Sequence, residues 1–205
     1  MAVGGFPVVV SSPSGAGKTT LVNSLVKKVP GLRRVVTCTS RPPRPGEKNG
    51  RDYHFLSPAE FERSIKAGKM VEWANVHGRY YGIAKKSLDE VVSAGENPVL
   101  VIDVQGAKTV LRKYPESALV FVLPPSWGEL EKRLRLRGDT NSDAASRLRT
   151  ARLEVCEIAA YGYAVVNDSV EEAVSDLAAI IRAERLRTGR QLKQLRARWL
   201  AKEKR

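Results

Sequence analysis

Four short runs stand out when apolar and polar positions are marked along the chain: Pro7–Val10, Val99–Ile102, Leu119–Leu123 and Ala164–Val166. Each is rich in β-branched residues and almost continuously apolar, the pattern of strands buried on both faces of a parallel sheet. Between them lie segments of helical period. Ser57 to Glu60, Ser126 to Glu129 and Ser169 to Glu172 carry the Ser-x-x-Glu spacing of a capping box, in which the two side chains satisfy each other's unpaired backbone N–H. After Ser169, the residues Val170, Val174, Leu177, Ala178 and Ile181 form one apolar stripe suited to covering a sheet face. Strand and helix alternate without internal repeat, which predicts an α/β fold built on a doubly wound parallel sheet.

Two stretches break this rhythm. From Val35 to Lys86 the chain holds Arg41-Pro-Pro-Arg-Pro-Gly46, Asn49-Gly50 and short aromatic runs at Tyr53–Phe55 and Tyr80–Tyr81, which reads as a small, turn-rich, mixed β insertion. From Ser126 to Arg152 it is helical and arginine-rich around Gly138–Ser142, which reads as a mobile cover. The core then falls to residues 1–34, 87–125 and 153–181, with 182–205 left as a basic C-terminal helix.

Composition changes this picture little. At 205 residues with 42% apolar and 28% charged side chains, the chain is an ordinary globular one with room for one substantial core. The net charge of +13 suggests nucleic acid, but Arg182–Arg205 alone holds ten Lys or Arg against two Glu, so most of the excess is local and nucleic acid is not required. Leu192, Leu195 and Trp199 continue an apolar stripe there, so the segment docks on the protein's own core or on another copy, making a homo-oligomer, rather than on nucleic acid or membrane. Cys38 and Cys156 form no C-x-x-C pair, and His54 and His77 have no metal-ligand spacing, so these four read as packing or surface residues. No signal peptide and no apolar run near the roughly 20 residues of a membrane span is visible, so the expectation is a soluble cytoplasmic protein.

The chemistry begins at Ser12-Pro-Ser-Gly-Ala-Gly-Lys-Thr19, placed between the first strand and a helix from Thr20. This is the context of a phosphate-binding loop: Ser12, Pro13, Ser14, Gly15, Ala16 and Gly17 turn backbone N–H groups inward at a helix N-terminus. Lys18 then reaches the β and γ phosphates of ATP, and the Thr19 hydroxyl is the candidate Mg²⁺ ligand. Ser12 stands where the usual pattern has Gly.

The segments Thr37–Phe55 and Glu72–Gly82, with the phosphate loop and Asn167-Asp168, closely resemble the guanylate kinase family across nearly the whole chain. The resemblance implies ATP:GMP phosphoryl transfer with ATP and Mg²⁺, and dGMP as a second acceptor. It implies that Arg41 and Arg44, with Tyr53 and Tyr81, clamp the GMP phosphate, a chemistry suited to forked cations facing a dianion. Glu72 would accept from guanine N1–H and the 2-amino group, and Thr37 would help hold the base. Asp103 would touch Mg²⁺-bound water or the acceptor; Val101 stands where many members carry another acid, and Ile83 where many carry Ser or Thr. Arg133, Arg137 and Arg147 match lid arginines that close over ATP, with Lys18, Arg41, Asp103, Arg137 and Arg147 as the catalytic set. Thr20 and Asn167 would complete the ATP site, Asn167 near the adenine.

Each residue also has a plain structural reading: Arg41 and Arg44 as solvated residues of a Pro-rich turn, Tyr53 and Tyr81 as core aromatics, Asp103 as a strand-end cap, the lid arginines as a solvated helix face, and Asn167 as a turn. Two other readings of the chain are a P-loop kinase with a phosphorylated sugar acceptor, which has no use for Glu72, and a guanylate-kinase-like interaction module without turnover, which has no use for Lys18 and Thr19.

Overall fold

The computed structural model describes residues 5–13, 15–76, 78–136 and 141–199, with the backbone alone at 141–144, 193, 194 and 197. The first half runs β1 (Val8–Ser11), α1 (Lys18–Lys28), β2 (Leu32–Arg34), β3 (Cys38–Thr39), β4 (His54–Phe55), α2 (Pro58–Lys66), β5 (Met70–Val76), β6 (Arg79–Ala84) and α3 (Lys85–Ser93). The second runs β7 (Asn97–Val101), α4 (Val104–Lys113), β8 (Ala118–Leu123), α5 (Trp127–Leu136), α6 (Asn141–Cys156), β9 (Tyr163–Val166), α7 (Val170–Leu186) and α8 (Thr188–Trp199).

The four apolar runs become β1, β7, β8 and β9 of a parallel sheet ordered β2-β7-β1-β8-β9. Because side chains alternate across a strand, Val8 and Val10 meet Leu21 and Leu25 of α1 and Leu177 and Ile181 of α7, whereas Val9, Leu100 and Leu119 meet Leu88 of α3 and Val110 of α4. Helices therefore cover both faces, as a fully buried parallel sheet requires. A second sheet, ordered β4-β3-β6-β5, is mixed: β3 runs parallel to β4 and antiparallel to β6. It joins the main core through Val71 and Ile83, and has a small core of its own in Cys38, Phe61 and Met70. Ile83, in the family's Ser/Thr position, is fully buried in the main core.

Of the three capping boxes, only that of α2 closes in both directions: the Ser57 N–H donates to Glu60 Oε2 at 2.8 Å and the Glu60 N–H to Ser57 Oγ at 3.3 Å. At α5 the Glu129 N–H donates to Ser126 Oγ, but the Glu129 carboxylate is taken by Arg133 one turn along, at 2.9 Å. At α7 Ser169 receives the Glu172 N–H alone.

The basic C-terminal segment is two pieces rather than one helix. Residues 182–186 complete α7, and α8 starts after Arg187, whose extended backbone ends the first helix. The turn between them is clasped: Arg190 pairs with the buried Glu184, donates to the Glu116 carbonyl at 2.7 Å, and lies 3.7 Å over the ring of Phe6. Glu184 also accepts from the Tyr163 hydroxyl at 2.5 Å. Along α8, Leu192, Leu195 and Trp199 are exposed. Among the described residues no helix is long and apolar enough to cross a membrane.

Candidate active site

The loop between β1 and α1 is shaped by two glycines. Gly15 and Gly17 have φ of 97° and 92°, a left-handed backbone that other residues resist. Both are also closely packed. A Cβ on Gly17 would stand 2.6 Å from Asn167 Nδ2, and one on Gly15 would meet Leu134 and Leu130 at 3.0 and 3.1 Å. The loop is thus wedged between α5 and the end of β9. Lys18 opens α1, and its ammonium bonds to the Ser12 carbonyl across the loop. The first turn of α1 carries no acid, so its positive end faces the cleft without an acid of its own.

The second sheet and its loops build the facing wall. Arg41 Nη2 donates to both oxygens of Glu47, Oε1 at 2.8 Å and Oε2 at 2.9 Å, its Nη1 donates to the Pro42 carbonyl at 2.6 Å, and the Arg44 N–H donates to Glu47 Oε2 at 2.7 Å. Burial works against the Arg41 charge, but pairing with Glu47 and the nearby Tyr81 outweighs it, so the guanidinium is held above its ordinary value. Tyr53 lies beneath Arg41, with its ring centroid 5.4 Å from the guanidinium carbon and 6.2 Å from the ring of Tyr81. Burial, with Tyr81 alongside, pushes the Tyr53 hydroxyl up, so it remains a donor.

Between the two walls sits Glu72 on β5, only 4% exposed and with Oε1 unpartnered. Burial and the charge of Asp103 push its carboxyl up to about 8, with the Ile83 backbone N–H and Lys113 pulling the other way. An orphaned buried acceptor of this kind marks a place where a ligand donor is wanted. Asp103 caps α4, accepting the Gly106 N–H at 2.7 Å, and also lines the cleft. Asp103 is thus the strand-end cap of the structural reading, placed where it also faces the cleft.

A single cleft of about 420 Å³ joins these parts. Its donor wall is Ser12, Pro13, Gly15, Gly17, Lys18 and Thr19; its acceptor wall is Thr37, Arg41, Arg44, Tyr53, Glu72 and Tyr81; Val101, Asp103 and Arg147 close it. Three predicted ATP residues, Ala16, Thr20 and Arg133, do not line it, nor does Asn167. Asn167 is buried and donates to the Ala16 carbonyl at 2.8 Å, bracing the loop from behind, and its own carbonyl lies 3.4 Å from Arg133 Nη2. Ser14, Arg137 and His77 lie outside the described residues.

Two residues at the site carry no role in the sequence reading. Glu47 orients Arg41 and ties down the Arg44 backbone; its only sequence signal is a lone acid inside an arginine-rich turn. Glu154, on α6, reaches the cleft beside Lys18, and burial holds its carboxyl above the usual range against the pull of Lys18.

A glycine-built phosphate loop opening onto a wall of arginines and tyrosines defines the class as a P-loop kinase whose acceptor is itself phosphorylated. The comparisons narrow the class. The model of the family described as guanylate kinase matches residues 5–184. The guanylate kinase of Symbiobacterium thermophilum is 44% identical over 187 residues, 91% of this chain and 89% of that protein. That of Aromatoleum aromaticum is 43% identical over 188 residues, 91% of this chain and 92% of that protein. The crystal structure of guanylate kinase from Anaplasma phagocytophilum superposes with a TM-score of 0.80 at 34% identity, covering 97% of both chains. This chain belongs to the guanylate kinase family.

Proposed function

We propose that this protein is a cytoplasmic kinase that transfers the γ-phosphoryl group of ATP to GMP, giving ADP and GDP, with dGMP as a second acceptor. The observation that carries the reading is the unpartnered carboxylate oxygen of Glu72, buried in the same cleft as Lys18 and Arg41. Guanine offers N1–H and the 2-amino group side by side, the pair of donors such a carboxylate accepts. A phosphorylated sugar has no such pair and would leave the buried group unsatisfied, so that reading is not favoured.

In this reading the loop amides and the positive end of α1 hold the β and γ phosphates of ATP, and Lys18 leaves the Ser12 carbonyl to follow the moving phosphoryl group. Arg41 turns from Glu47 to the acceptor phosphate and is joined there by the Arg44 guanidinium, while Glu47 keeps the Arg44 backbone N–H and Tyr53 and Tyr81 donate their hydroxyls. Arg147 adds positive charge from the lid side of the cleft. Transfer of this kind depends on alignment and charge neutralisation, so no side-chain nucleophile is required. The oxygen donors Thr19, Asp103 and Glu154 on one side of the cleft suit a hard divalent cation, with Thr19 as the direct ligand. Bound there with ATP, Mg²⁺ neutralises phosphate charge.

Release of ADP measured with GMP, AMP, CMP and UMP as acceptors tests the assignment. GMP alone should support rapid turnover; equal rates with AMP would overturn the guanine assignment.

A further inference from the structure

The Glu72 carboxylate is met by the Ile83 backbone N–H while its Oε1 has no partner, so one hydrogen bond alone does not fix its aim, yet it is buried in a defined place. What it rests on is Gly106. A Cβ built on Gly106 would stand 2.6 Å from Glu72 Oε2 and 3.2 Å from its carboxyl carbon, against 3.3 Å to Ile102 Cβ. No side chain with a Cβ can share that space with the carboxylate where it now lies. The same helix holds the strand as well. Lys113, at the far end of α4, bonds to the carbonyl of Val71, the residue just before Glu72.

We propose that Gly106 is a specificity-determining positioning residue: its bare Cα forms the seat on which the Glu72 carboxylate is aimed at the guanine edge. The inference rests on the reading of Glu72 given above. Gly106 touches no reacting atom. It acts through Glu72, and its φ lies outside the left-handed region, so backbone freedom does not account for a glycine here. At the third position of α4, alanine is the better helix former, and local propensity argues against glycine as well. The atom that a methyl group would displace is the end of a side chain, not backbone. The fold can therefore absorb Gly106→Ala, and the cost falls on the aim of Glu72.

The test is a double-mutant cycle with GMP and inosine monophosphate, which lacks the 2-amino group, as acceptors. Gly106→Ala should lower kcat/KM for GMP by about ten- to a hundredfold, chiefly through KM, and shrink the preference for GMP over inosine monophosphate, while KM for ATP stays within about twofold. In a Glu72→Ala background there is no carboxylate to displace, and Gly106→Ala should then change GMP use by less than about twofold and leave the melting temperature level or higher. The cycle also covers the case in which the single variant folds poorly, because the double variant is relieved of the clash. Wild-type GMP preference in Gly106→Ala, equal losses for GMP and ATP, or penalties that simply multiply in the double variant would each overturn the proposal. If Glu72→Ala itself left the GMP preference intact, the guanine-reading assignment would fall instead, which separates the two failures.

Discussion

The two ends of the cleft hold phosphate by opposite means. The donor end is made of backbone, with glycine amides at the head of α1 clamped by Asn167 from one side and by Leu130 and Leu134 from the other. Its shape is set before any nucleotide arrives. The acceptor end is made of side chains carried on a sheet whose separate core is three residues, Cys38, Phe61 and Met70. There Arg41 and Glu47 hold one another until a better anion displaces the carboxylate. A backbone site is rigid and indifferent to the base, whereas a side-chain site can discriminate but must be kept in order by neighbours such as Glu47 and Gly106.

The sharpest way to break this contrast is Lys18→Ala, expected to lower turnover by on the order of 10³ or more with GMP affinity little changed. Single-turnover rates alongside GMP binding would check it, and matching losses in both would merge the two ends into one unit. Glu72→Gln should follow, lowering kcat/KM for GMP by about 10², because it replaces a charged acceptor and turns an amide donor toward guanine donors. ATP affinity, measured by titration, should stay unchanged.

Next comes pH. Glu72 titrates near 8 in the unliganded protein but must be ionised to accept from guanine, so between about pH 6 and 8 GMP binding expels a proton. Affinity for GMP should therefore rise with pH across that window, by up to about tenfold per unit. Glu72→Gln should lose this part of the slope in calorimetry, and the donor end should show none of it. The same group binds more protons folded than unfolded between about 4.5 and 8, so its contribution to stability is present at low pH and fades as pH rises through that range. The smallest effect belongs to Glu47→Gln: KM for GMP should rise roughly three- to tenfold with kcat kept, since one acceptor oxygen remains for the Arg44 N–H. A fall in KM would mean that Glu47 competes with the phosphate more than it orders Arg41.

How far the sequence could be read follows the same divide. β1, β7, β8 and β9 are legible because strands buried on both faces write unbroken apolar runs. β3 and β4 are two residues each, too short for any period to register, and the break between α7 and α8 falls at Arg187, two residues before Gly189, which lies inside α8 while the apolar stripe runs on past it. The phosphate loop is legible because its chemistry is local in the chain. Asn167 is not: it meets Ala16 from 151 positions away, and its place behind the loop is a tertiary fact. Gly106 under Glu72 is hidden for the same reason, and Glu47 shows only as an acid among arginines.

The clasp at Arg190 gives the end of the chain a weight that its polar composition conceals. Glu184 is almost wholly enclosed, and among the described residues its charge is answered by Arg187 and Arg190, both beyond the last turn of α7. Trimming the protein at Leu186 would therefore take away both cationic partners of Glu184 and uncover Phe6 beside the first strand. Truncation mapping by melting temperature should find a cliff at this point, with fusions and tags tolerated only further downstream.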